Sequence, residues 1–122
     1  MRFRSGLEKR TAGFLKIRGV SFEYEKTRIP WIDTRQKTYT PDFVLDNGII
    51  VETKGRFIAS DRMKHLMIKQ QHPELDIRFV FSNQNARLSK GSKTTYAMWC
   101  DKHGYLYAQE TIPLEWLKEK KK

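Results

Sequence analysis

The chain has 122 residues, 39% of them hydrophobic and 12% aromatic, which suits one folded domain with a single modest core and argues against disorder. Its 24 Lys and Arg against 14 Asp and Glu leave a net charge of +10, so a polyanionic partner is expected, nucleic acid ahead of an acidic membrane surface. No apolar run approaches the roughly 20 residues of a membrane span, no signal-peptide core opens the chain, and the lone Cys100 excludes an intrachain disulfide, so a cytoplasmic protein with no membrane partner is expected.

Ser5 to Arg18 has helical periodicity, with Leu7, Thr11, Phe14, Leu15 and Arg18 on one face and Gly19 suited to a C-terminal cap. Ser5-x-x-Glu8 reads as a capping box, in which Glu8 satisfies a backbone donor at the helix start. Val20 to Lys26 alternates apolar and polar residues and predicts a half-exposed strand. Thr27 to Lys37, with Pro30 and several charges, breaks that alternation and reads as a loop ahead of the alternative, an extended arm that carries the first helix and strand away from the rest. Tyr39 to Leu45 and Ile49 to Lys54 form the arms of a hairpin. Ser60 is the expected cap of a helix running through Met63, Leu66, Met67 and His72 and stopped by Pro73.

Asp76 to Phe81 predicts another strand, and Asn83 to Lys93 a polar, basic loop. Tyr96 to Cys100 looks helical up to Gly104, Tyr105 to Ala108 is a short strand, and Trp116 and Leu117 precede a frayed basic end. The sum is an α/β fold, a mixed central β-sheet flanked by helices, in one domain over 1–122. Cys100 and His103 have a spacing that metal ligands use, but no second pair accompanies them, so Cys100 reads as structural. Trp99 and Trp116 lie in apolar clusters and read as core; Trp31, outside them, can stack on a splayed base.

The hairpin carries acids where apolar strand is expected. With a two-residue Asn47-Gly48 turn, Asp42 and Glu52 fall on opposite faces. With a three-residue loop, Asp46-Asn47-Gly48, Leu45 pairs with Ile49 and Asp42 lies directly opposite Glu52. The second register sorts the side chains better: Phe43, Leu45, Ile49, Val51 and Thr53 form a core face, and Asp42, Val44, Ile50, Glu52 and Lys54 form the other. Two opposed carboxylates are destabilising unless they share a cation, and their Cβ separation of about 5 Å allows one divalent ion between them. Asp42, Glu52 and the Thr53 backbone carbonyl offer hard oxygen ligands, and Lys54 can orient a water or stabilise negative charge developing on a phosphate.

Pro41-Asp42 followed by Glu52-Thr53-Lys54 matches the PD-(D/E)xK nuclease signature. Together with "FRSGLE", "FEYE", "TYTPDF", "VETKG", "KHL", "QHPELDIR" and "KHG", it gives a chain that resembles, over nearly its whole length, the phage endonuclease I family of Holliday-junction resolvases. That resemblance implies a metal-dependent enzyme using Mg²⁺ or Mn²⁺, up to two ions per active site, that cuts four-way and other branched DNA in the host cytoplasm. It implies the catalytic set Glu8, Asp42, Glu52 and Lys54, with metal at Asp42, Glu52 and the Thr53 carbonyl and with Glu8 as a further ligand. It also implies a homodimer that exchanges its N-terminal helix and first strand, which would make 27–37 a bridge. The chain departs from the family pattern in a short start, a short lysine end and a slightly shorter bridge, none of which touches the catalytic set.

Arg62, Lys64, His65 and Lys69 on the middle helix and Arg87, Lys90 and Lys93 in the later loop are candidate phosphate contacts, and together they predict steep salt dependence. Two rival readings stand beside the resolvase. Another PD-(D/E)xK nuclease would act on linear duplex, and a non-catalytic basic DNA-binding protein would leave the hairpin acids unexplained.

Overall fold

The computed structural model describes residues 3–33 and 35–121. Residue 34, inside the expected loop or bridge, and residue 122, at the end of the basic tail, lie outside the described residues. Helix α1 (Gly6–Ile17) starts where Ser5 Oγ accepts the Glu8 N–H at 3.1 Å and stops at Arg18, followed by Gly19 at φ 67°. It buries Leu7, Glu8, Thr11, Ala12 and Leu15, a stripe of three- and four-residue steps. Strand β1 (Phe22–Tyr24) is shorter than the alternation suggested, because Glu25 turns into the left-handed region at φ 52° and ends it.

Residues 27–37 correct the loop reading. They contain strand β2 (Ile29–Ile32) and the start of β3 (Gln36–Tyr39), paired antiparallel as a separate two-stranded sheet. Pro30 sits at an exposed position, where a two-stranded ribbon tolerates its missing N–H, while Ile29 and Trp31 turn inward. Trp31 is therefore core, with the Lys37 ammonium 5.2 Å from its ring centre, and is not free to stack on a base.

The main sheet has the order β1-β4-β5-β6-β7, built from β4 (Phe43–Leu45), β5 (Ile50–Lys54), β6 (Ile77–Phe81) and β7 (Tyr107–Gln109) with β1. Pairing is antiparallel from β1 to β5 and parallel from β5 to β7, the mixed sheet expected. Helices α2 (Ala59–Gln71) and α3 (Tyr96–His103) contribute to one core with Tyr39, Phe57, Phe79, Phe81, Trp99 and Tyr105. On the other side α1 and the short α4 (Leu114–Lys118) pack with Phe43, Leu45, Val51 and Val80. Both faces of the hairpin are thus covered, where the sequence suggested one core face.

Ser60 does not cap α2. Phe57 is buried and gives its N–H to the Tyr96 hydroxyl at 3.2 Å, so the helix opens after Ile58 with Ser60 already inside its first turn. The tail is not frayed through 119 either. Buried Arg78 on β6 is held by Asp76 and Glu119 and lies 5.2 Å from the Trp116 ring centre, which ties α4 to the sheet. Among the described residues no helix is long and apolar enough to cross a membrane.

Candidate active site

Asp46-Asn47-Gly48 closes the β4–β5 hairpin as a three-residue loop. Leu45 N–H donates to Ile49 O and Gly48 N–H to Leu45 O, both at 2.9 Å, with Gly48 at φ 90°. The pairs Phe43 with Val51 and Val44 with Ile50 put Asp42, one step on, opposite Glu52. The two acids lock onto each other's strands. Asp42 N–H donates to Glu52 Oε2 at 2.8 Å, and Thr53 gives its N–H and its hydroxyl to Asp42 Oδ2 at 2.9 and 3.1 Å. Thr53, expected to offer its carbonyl to a metal, thus also orients Asp42.

Both carboxylates are nearly sealed from solvent, Asp42 at 4% and Glu52 at 3% exposure. Burial, then the charge of Asp42, pushes the Glu52 carboxyl up to about 7, against the opposing pull of Lys54. Burial also raises Asp42, offset by the Thr53 backbone bond and by Lys54 and Arg4. Lys54 Nζ stands 3.8 Å from Glu52 Oε1 and 3.9 Å from Asp61 Oδ1 at the start of α2.

Glu8 reaches this site from α1. It is buried, accepts a hydrogen bond from the Tyr24 hydroxyl at 2.5 Å, and places an oxygen within 4.8 Å of oxygens from Glu25 and Asp42. The capping geometry and the site therefore coexist in one residue: its backbone meets Ser5 while its carboxylate faces the sheet. The triad already attracts a cation, since Arg4 Nε lies 2.6 Å from Glu25 and Arg4 Nη2 lies 3.1 Å from Asp42. Three carboxylates converging from α1, the end of β1 and the start of β4 form a hard-oxygen donor set that fits a divalent ion such as Mg²⁺ or Mn²⁺. Sequence reading missed Glu25, Arg4 and Asp61. Glu25 stood in the string "FEYE", but the left-handed turn that aims it is tertiary in origin.

The candidate phosphate contacts divide. Arg62 donates to Phe57 O at 2.5 Å, and the Lys64 ammonium lies 5.3 Å from the Tyr39 ring centre. Lys69 covers the Tyr105 ring and donates to His103 O at 2.5 Å. Arg87, Lys90 and Lys93 are exposed, and the first two line a cleft of about 440 Å³ with Arg56, a cation the sequence reading passed over. His65 is a correction. It is fully buried, edge-on to Tyr39 and Phe79, with Nε2 3.8 Å from Glu52 Oε1, so it faces the acid and not a phosphate. Cys100 is buried in the core and His103 lies against Trp99 with ring centres 4.7 Å apart, in keeping with the structural reading.

The sequence pattern of the family described as Phage endonuclease I matches residues 1–122. Endonuclease I of Escherichia phage T7 is 54% identical over 121 residues, spanning 98% of this chain and 81% of that protein. Endodeoxyribonuclease 1 of Enterobacteria phage T3 is 53% identical over 121 residues, spanning 98% and 80%. The helix with Glu8 and the hairpin with Asp42, Glu52 and Lys54 lie inside that shared length, and the chain belongs to the phage endonuclease I family of nuclease enzymes.

Proposed function

We propose that this chain is a divalent-metal-dependent, structure-selective endodeoxyribonuclease that hydrolyses phosphodiester bonds at four-way (Holliday) junctions and other branched DNA. The observation that carries the reading is the opposed pair Asp42 and Glu52, buried and crossed by hydrogen bonds, with Lys54 3.8 Å from Glu52. Such a pair in a chain of +10 charge makes sense as a cation site within a polyanion-binding surface. The DNA substrate is in keeping with the T3 relative, which is named an endodeoxyribonuclease.

Asp42, Glu8 and Glu25 would hold Mg²⁺ or Mn²⁺, up to two ions per site, with Glu52 opposite Asp42 and the Thr53 carbonyl as further donors. A bound divalent ion supplies charge neutralisation at the phosphate and makes water a better nucleophile. Thr53 keeps Asp42 in one orientation, and the Asp42 N–H does the same for Glu52 Oε2. Lys54 sets a positive charge where negative charge builds on the phosphate oxygens. Arg4, now spanning Glu25 and Asp42, is placed to turn toward a phosphate once the acids are engaged.

The cleft of Arg56, Arg87 and Lys90 opens beyond the strand end that carries Lys54, and among the described residues no carboxylate lines it. We assign it, with Lys93 and the exposed Lys69, to the backbone of the bound DNA, so that recognition is of branch shape and charge. A homodimer that exchanges α1 and β1 through 27–37 would supply Glu8 from a second copy with the same local geometry, and two linked sites suit a four-way junction. Sedimentation at micromolar concentration should then give a dimer.

The test is cleavage of a labelled four-way junction beside a matched linear duplex, with Mg²⁺ and with chelator. Metal-dependent cutting of the junction that spares the duplex is expected. Equal cutting of both would leave a general PD-(D/E)xK nuclease, and chelator-insensitive binding without cutting would remove the catalytic roles.

A further inference from the structure

His65 is fully buried, and neither of its ring nitrogens has a hydrogen-bond partner among the described residues. A histidine kept in a core for packing is ordinarily satisfied, because each unpaired buried polar group costs about 1–3 kcal/mol. Phenylalanine would fill this site between Tyr39 and Phe79 without that cost. The Tyr39 hydroxyl is a second buried group without a hydrogen bond of ordinary length, and it stands beside the same carboxylate, Glu52. An unpaired imidazole and a buried hydroxyl therefore flank one acid.

The two oxygens of Glu52 have different neighbours. Oε2 is fixed by the Asp42 N–H at 2.8 Å. Oε1 faces Lys54 Nζ and His65 Nε2, each at 3.8 Å. His65 itself cannot drift: α2 carries it, and its backbone carbonyl accepts the Tyr105 hydroxyl at 2.8 Å. An imidazole edge held in that place restricts where Oε1 can go, and groups behind a metal-binding carboxylate commonly set its orientation.

We propose that His65, with Tyr39 beside it, is a positioning residue for Glu52: the two polar edges hold its carboxylate at the place a divalent cation requires. The inference rests on the metal-dependent reading above. Its direct readout is metal uptake in the absence of DNA, which a packing role would lower only together with stability and metal-free junction binding.

The experiment compares the parent with His65→Phe, His65→Gln and Tyr39→Phe, by calorimetric titration with Mn²⁺ and by thermal unfolding in chelator. His65→Phe is expected to unfold no lower than the parent, since an unpaired polar group is gone, while its Mn²⁺ affinity falls by about 10- to 100-fold. His65→Gln restores an N–H and recovers part of the affinity, and Tyr39→Phe shows a smaller loss. Parental Mn²⁺ affinity in His65→Phe overturns the proposal. So does a parallel fall in melting temperature, Mn²⁺ affinity and metal-free junction binding, which marks a packing role. A parent that takes up no Mn²⁺ instead sinks the metal-dependent reading, and the inference with it.

Discussion

Glu52→Gln should make the metal-free protein more stable and inactive at once. Glu52 is sealed in the fold, and its carboxyl is raised from 4.5 to about 7, first by burial and then by Asp42. A raised carboxylate costs nothing below the unfolded pKa; the cost grows as pH rises through the folded pKa and is complete above it. At about 1.4 kcal/mol per pKa unit, the ionised Glu52 costs the native state roughly 3 kcal/mol at pH 8 and less than about 1 kcal/mol at pH 5. Glutamine still accepts the Asp42 N–H, loses the attraction to Lys54 and keeps a weaker acceptor for Tyr39, so most of that gain survives. For a chain of this length it corresponds to a rise of about 10 °C in melting temperature. Thermal unfolding by circular dichroism in chelator, at pH 5 and pH 8, reads it directly. Mn²⁺ should then raise the parent's melting temperature at pH 8 and leave the variant's nearly still. Junction binding persists and cleavage is lost. A variant that melts at or below the parent at pH 8, or whose gain is the same at both pH values, refutes the reasoning.

Replacing Arg87 and Lys90 together by glutamine should make the slope of log junction affinity against log salt less negative by about 0.9 for each phosphate no longer neutralised, with cleavage at saturating junction unchanged. An unaltered slope would take the DNA out of that cleft. The Cys100 thiol, pushed up to about 12 by burial and then by Asp101, should react with a disulfide reagent at pH 8 only after unfolding. Prompt labelling of the native protein would contradict the packing of α3 against the sheet.

The acid pair was legible because two local rules agree on it. An Asp-Asn-Gly loop puts Gly48 in the left-handed region, and the strand period of two then carries the register outward to Asp42 and Glu52. The burial of that face was not legible. The hairpin pattern describes a strand pair with one wet side, whereas β5 lies between β4 and β6 beneath helices contributed by residues 59–103. Pro30 misled for a related reason, since an outward position in a two-stranded ribbon is one of the few strand sites that accept proline.

The misplacement of His65 leads to the physical design of the site. Its neighbours Arg62, Lys64 and Lys69 are basic, so charge suggested a phosphate-facing surface, yet its spacing from Ile68 puts both on the inner face of α2. Four residues N-terminal to His65 on that helix stands Asp61. Lys54 meets Asp61 at 3.9 Å and Glu52 meets His65 at 3.8 Å, so one helix and one strand touch at two levels while running in opposite directions. Four helical residues advance about 6 Å. Two strand residues advance about 6.6 Å. The match lets a single helix brace the acid and the lysine of the signature together, with a carboxylate behind the lysine and an imidazole behind the acid. A shift of α2 by one residue would break both pairings, which is why the helix start fixed by buried Phe57 matters to chemistry that Phe57 never touches.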